Sequence, residues 1–258
     1  GGIECLPEGS QNKILRDTYI LDIQNRTLAP VAKMLLGRIE HSLVILNDEL
    51  YAIGGFTEHQ EFTTSCEKYN PQTNAWTQLP SLRLPCHSAC TCTFNNRYIY
   101  RIGGKLNRDQ LNEHIDRLDT LTSPLRWEEI HIKTTSISPQ ARSFFRILSN
   151  SACVQVSHDS ILVFGGTYED YATKSNGSYI IKLKKDNIFQ EGPEGHEIVA
   201  VNEHQLPYAE GFWSQQAIIY NRKIFVLQNV SEELHPTNVV LYQKRILMFD
   251  DNAFTVIN

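Results

Sequence analysis

A double glycine closing an apolar run recurs along this chain and limits what it can fold into. It ends Leu50-Tyr51-Ala52-Ile53-Gly54-Gly55, Ile99-Tyr100-Arg101-Ile102-Gly103-Gly104 and Ile161-Leu162-Val163-Phe164-Gly165-Gly166, and the chain itself opens on Gly1-Gly2. Repeats roughly 50 to 60 residues apart indicate an architecture in which each unit is one supersecondary element, unable to bury its apolar face alone.

Aligning the units on their glycines predicts four short strands in each. A serine opens the first strand (Ser42, Ser88, Ser151, Ser214), which is small and apolar. A two-residue turn follows, at Asn47-Asp48, Asn95-Asn96, His158-Asp159 and Asn221-Arg222, where Asn and Asp tolerate the positive φ of hairpin turns. The second strand runs into the double glycine. A third ends in an apolar residue followed by a polar one, as in Tyr69-Asn70, Leu118-Asp119, Leu21-Asp22 and Phe249-Asp250. A fourth carries a bulky anchor: Trp76, Trp127, Phe189, Phe254 or Leu28. Four strands joined by tight turns make a twisted antiparallel sheet, the blade of an all-β propeller. Turn signals recur too often for a long amphipathic helix.

Bulk properties agree with a globular chain of 258 residues, 41 % of them apolar and 21 % charged. The net charge of −5 argues against nucleic acid as a partner, which needs an electropositive surface. No run is long enough for a transmembrane helix, so membrane insertion is not expected. The six cysteines show no disulfide-framework spacing and read as reduced thiols of an intracellular protein.

These residues resemble the Kelch repeat family, whose small-residue strand, Gly-Gly strand end, Tyr and later Trp are met best by Gly54-Gly55, Tyr69-Asn70-Pro71 and Trp76. The structural repeat markers are Gly54, Gly55, Tyr69, Trp76, Gly103, Gly104, Trp127, Gly165 and Gly166. In the last unit Gln228-Asn229 replaces the glycines. The resemblance implies a single Kelch-type domain over 1–258, with a partial blade at 1–35 and four complete ones at 36–82, 83–145, 146–211 and 212–258. Because Kelch rings usually close with more blades, the expectation is a larger ring of about six, with strands missing ahead of Gly1.

For chemistry, Cys86-His87-Ser88-Ala89-Cys90-Thr91-Cys92 invites comparison with a metal knuckle, but no second knuckle accompanies it. Alternation puts Cys90 and Cys92 on one face of an inner strand, where small apolar side chains pack. The copper-radical oxidase built on a Kelch propeller is the enzymatic alternative. It needs converging histidines, and the nine here are scattered. No nucleophile elbow, P-loop or zinc-protease motif is present. No catalytic residue, metal or cofactor is expected.

The resemblance instead implies binding through loops. Ahead of the first strands stand Arg38, Arg83, Arg146 with Arg142, and Glu210. Arginines from successive blades would form a positive rim suited to an acidic peptide. In the loops after the glycines, Phe56, Tyr168 and Tyr171 are candidate interface anchors. The long connections 131–145 and 192–211 exceed an ordinary blade link. The expected protein is a non-catalytic interaction module or scaffold, cytoplasmic or cytoskeleton-associated and part of a larger complex. The alternative is a substrate-receptor propeller of a ubiquitin ligase.

Overall fold

The computed structural model describes residues 1–4, 12–59, 61–130, 149–167, 178–183, 197–199, 213–220, 223–231, 242–250 and 253–257. Every element among them is a strand. The first four are β1 (Ile3–Glu4), β2 (Lys13–Ile14), β3 (Thr18–Asp22) and β4 (Thr27–Val31). The first complete repeat holds β5 (Arg38–Ile39), β6 (Ser42–Leu46), β7 (Glu49–Ile53), β8 (Phe56–Thr57), β9 (Cys66–Asn70) and β10 (Ala75–Leu79). The next holds β11 (Cys90–Phe94), β12 (Tyr98–Ile102), β13 (Ile115–Asp119) and β14 (Trp127–Ile130). Then come β15 (Ser149–Ser157), β16 (Ser160–Thr167), β17 (Ser178–Lys182) and β18 (Glu197–Val199). Last are β19 (Trp213–Tyr220), β20 (Lys223–Ser231), β21 (Tyr242–Asp250) and β22 (Ala253–Ile257).

Sixteen of these form four antiparallel sheets of four strands, in the orders β6-β7-β9-β10, β11-β12-β13-β14, β15-β16-β17-β18 and β19-β20-β21-β22. The first strands β6, β11, β15 and β19 lie side by side in that order, as the inner strands of successive propeller blades do. The fourth sheet forms although Gln228-Asn229 stands where its glycines would be. Ahead of them β3 and β4 make only a two-stranded sheet, the outer half of a blade.

Local chemistry explains the turns. Asn47 and Asp48 sit at φ 51° and 62°, Asn95 and Asn96 both at 51°. Two consecutive left-handed residues match the twist of the strands they join. The double glycines share one conformation: φ is 64° and 104° at Gly54 and Gly55, 64° and 85° at Gly103 and Gly104, 69° and 102° at Gly165 and Gly166. A Cβ on Gly55 would stand 2.7 Å from the Ile39 carbonyl oxygen, and one on Gly104 2.6 Å from that of His87. Glycine is needed here for its backbone angles and for the close approach of another segment.

The serines of the first strands do not share one position, contrary to the expected register. Ser42, Cys90 and Ala152 are equivalent, each pairing with the residue before the double glycine: Ile53, Ile102 and Phe164. Ser88 stands two residues ahead of this position and Ser151 one ahead.

Packing between blades rests on the anchors. Trp76 packs with Tyr69, Ala52 and Met34, its ring 5.4 Å from that of Tyr69. The Trp76 Nε1–H donates to the Ala32 carbonyl (2.9 Å) just past β4, and the Trp127 Nε1–H to that of Pro80 (3.1 Å) just past β10. Each anchor therefore grips the strand by which the preceding unit ends. Cys90, Cys92 and Cys153 join the core shared by the second and third blades. With Cys66 and Cys86 they are buried free thiols.

Candidate functional site at the head of the inner strands

The end of the sheets where the inner strands begin gathers the segments before β6 and β11, the first residues of β15 and the segments that follow Gly55 and Gly104. Three non-glycine residues here adopt left-handed backbone: Glu40 at φ 52°, Ser88 at 54° and Asn150 at 56°. Each lies two residues ahead of the equivalent inner-strand position, so the conformation repeats with the blades. They are also linked. The Ser88 N–H donates to the Glu40 carbonyl (2.9 Å), and the Asn150 N–H to the Ser88 carbonyl (2.8 Å). A backbone relay thus crosses three blades at one end of the inner strands.

Side chains build on the relay. The Glu40 carboxylate accepts from Ser88 Oγ–H at 2.7 Å and from His87 Nδ1 at 2.8 Å, which assigns the imidazole proton to Nδ1. The hydrogen bonds from His87 and then Ser88 outweigh burial and hold the Glu40 carboxyl below its ordinary range. His87 is buried, stacks on Phe62 with centroids 4.6 Å apart, and leaves Nε2 without a hydrogen-bond partner. Its backbone exchanges both hydrogen bonds with Lys105, whose ammonium burial lowers to about 8. Ser88 Oγ bonds to the carboxylate and not to Nε2, so these three residues lack the order of a nucleophilic triad.

Of the expected arginine rim, only Arg38 and Arg83 lie among the described residues, and both are engaged within the protein. Arg38 is fully buried inside its blade. Its guanidinium donates to the carbonyls of Gly54 (2.7 Å) and Ser65 (2.9 Å) and pairs with buried Glu67 at 2.7 Å. A buried guanidinium requires such partners, and the carbonyls just past β7 and just before β9 together with Glu67 provide them. Arg83 remains half exposed but is paired with Glu129 at 2.5 Å. Phe56 is half-buried: its backbone pairs with that of Ile39 between β8 and β5, and its ring meets Phe62 edge-on at 5.2 Å. Arg142, Arg146, Tyr168, Tyr171, Glu210 and the two long connections lie outside the described residues.

Sequence reasoning missed two features here. Nothing about glutamate or serine signals left-handed backbone; only Asn150 belongs to a type that favours it. Arg101, by contrast, stands inside an apolar strand directly across from Asp116, a detectable sign of a buried pair.

The comparisons with known proteins agree with this geometry. The Kelch motif profile matches residues 37–83, the span from the segment before β6 to just past β10. This stretch carries a Kelch motif. The chain is 29 % identical to alpha-scruin of Limulus polyphemus over 89 residues, 34 % of this chain and 10 % of that protein. It is 27 % identical to Kelch-like protein 25 of Xenopus tropicalis over 113 residues, 41 % of this chain and 19 % of the other. With the F-box/kelch-repeat protein SKIP30 of Arabidopsis thaliana it shares 28 % identity over 94 residues, 36 % of this chain and 27 % of that one. The chain thus spans between a tenth and about a quarter of these relatives. The solved structure of YjhT superposes with a TM-score of 0.66 over all of this chain and 80 % of its own, at 13 % identity, a likeness of fold alone.

Proposed function

We propose that this Kelch propeller is a non-catalytic protein-interaction module, and that it binds its partner at the head of the inner strands. The observation that carries the reading is the relay Glu40–Ser88–Asn150: strained left-handed backbone held in register across three blades is kept where a surface must be presented in one fixed shape. An acidic peptide gains little from this face, because Arg38 is withdrawn into its blade and Arg83 is bound to Glu129. The face presents instead the half-exposed Glu40 carboxylate beside Ser88. Reduced, buried thiols support a cytoplasmic setting, and Kelch relatives with F-box or BTB names support a role within a larger assembly.

A photo-crosslinking side chain at position 88 tests the binding face against the same group at position 95, in the hairpin turn at the other end of the inner strand. The expected result is a discrete adduct from position 88 that Glu40→Ala weakens. Equal labelling from both positions would remove the assignment.

A further inference from the structure

Three thiols converge where the second and third blades meet. Alternation along β11 turns Cys90 and Cys92 to one buried face, and Cys153 on the neighbouring inner strand β15 packs against them in a single core. Cys90 and Cys153 are each 5 % exposed. Two side-chain bonds cross the same seam. The Ser151 Oγ–H donates to the Cys90 sulfur at 3.4 Å, and the Gln155 amide donates to the Asn95 side-chain oxygen at 2.7 Å. Between them the Cys153 thiol meets those of both Cys90 and Cys92. Among the described residues no three ligating side chains are grouped to hold a metal ion. The chemistry open to the cluster is that of one thiol with another.

The facing thiols are unlike. Burial alone would raise the Cys90 thiol, but hydrogen bonds from Cys153 and then Ser151 outweigh it and set Cys90 below the ordinary thiol range. Burial, and next the bond to Cys90, push Cys153 well above that range. The cluster therefore pairs a sulfur inclined to be thiolate with one that keeps its proton, the asymmetry on which thiol oxidation runs. Cys66 and Cys86 are placed differently. They bond to the backbone carbonyls of Thr64 (3.6 Å) and Gly103 (3.3 Å), and burial raises both.

We propose that Cys90 and Cys153 are a modification site for hydrogen peroxide, which closes them into a reversible disulfide between the inner strands of neighbouring blades. The Cys90 thiolate attacks one peroxide oxygen, the O–O bond breaks, and hydroxide leaves with the proton that Cys90 gave up, as water. The sulfenic acid so formed on Cys90 is then attacked by the Cys153 sulfur. An S–S bond forms as the S–O bond breaks, and the departing hydroxide takes the Cys153 proton as a second water. Two thiols have lost two electrons and two protons to one peroxide. A small uncharged oxidant suits a buried site. The bridge fastens β11 to β15 just inside the Ser88–Asn150 step of the backbone relay.

The test exposes the whole folded chain to hydrogen peroxide, blocks the remaining thiols in denaturant, and maps the peptides by mass spectrometry without reductant. The expected result is a Cys90 peptide joined to the Cys153 peptide, released by dithiothreitol, with Cys66, Cys86 and Cys92 recovered as blocked thiols. The urea midpoint of the oxidised chain is expected to rise and to return on reduction. Cys153→Ser and Cys90→Ser are each expected to abolish the joined peptide, and Cys92→Ser to keep it. A folded wild-type chain that peroxide leaves unjoined at 90 and 153, a bridge that survives Cys90→Ser through Cys92, or a joined chain with an unraised midpoint would each overturn the proposal.

Discussion

Arg38 and Arg101 deliver a guanidinium to the same place in successive blades from two different strands. Arg38 reaches in from β5 and Arg101 from β12, and each donates to the first glycine of its own pair, at 2.7 Å to the Gly54 carbonyl and 2.5 Å to that of Gly103. Their acidic partners, Glu67 and Asp116, are equivalent residues of the third strand. The other residue of each set is small: Ala52 sits across from Glu67 where Arg101 sits across from Asp116, and Cys86 takes the position of Arg38.

This exchange predicts a rescue. Arg101→Ala leaves Asp116 buried without its cation and is expected to cost about 3–5 kcal/mol by urea denaturation. Adding Cys86→Arg restores a guanidinium by the route the first blade uses, and at least half of the loss is expected to return. A double variant no more stable than Arg101→Ala would show that the two routes are not interchangeable.

The anchors predict a graded series. Trp76→Ala removes a buried indole and is expected to destabilise by about 3–5 kcal/mol. Trp76→Phe keeps most of the ring but loses the bond to Ala32, costing about 1 kcal/mol beyond its packing change. Thermal denaturation of the two variants, compared with Trp127→Phe, measures both parts.

His41 predicts a pH dependence. Burial, and next the charge of Arg38, lower its imidazole from 6.5 to about 3, so the folded protein holds it neutral. The unfolded chain takes up the proton below about 6.5, so stability is complete above that value and falls as the pH drops towards 3. Between pH 7.5 and 5.5 this group removes about 1.4 kcal/mol. His41→Gln is expected to abolish that part of the decline, whatever its effect at pH 7.5. An identical decline in the variant would refute the assignment.

Gly104 predicts an intolerant site. Its φ of +85° and the His87 carbonyl oxygen 2.6 Å from any added Cβ make Gly104→Ala both strained and crowded. A loss of at least about 2 kcal/mol is expected. An Ala variant of wild-type stability would mean that the segment before β11 can retreat.

The blades were legible because their markers act through local physics. Glycine pairs, Asn-Asp turns and a spaced tryptophan each impose a backbone angle or a burial that holds in any context. Binding residues were less legible. Arg38 looks like a rim cation by position, yet its fate was decided by Glu67, 29 residues further on, and by a small residue at 52. Phe56 is half-covered, its ring against Phe62 and its backbone paired with Ile39. The Glu40–Ser88–Asn150 relay depends on backbone contacts across blades, which no side-chain pattern announces.

The tryptophan grip has a direction. Ala32 is held by a ring 44 residues later in the chain and Pro80 by one 47 residues later. On a growing polypeptide, the outermost strand of each unit therefore leaves the ribosome before the residue that will fasten it. Fastening of each such strand has to wait for the tryptophan of the next unit, 44 residues on for Ala32 and 47 for Pro80.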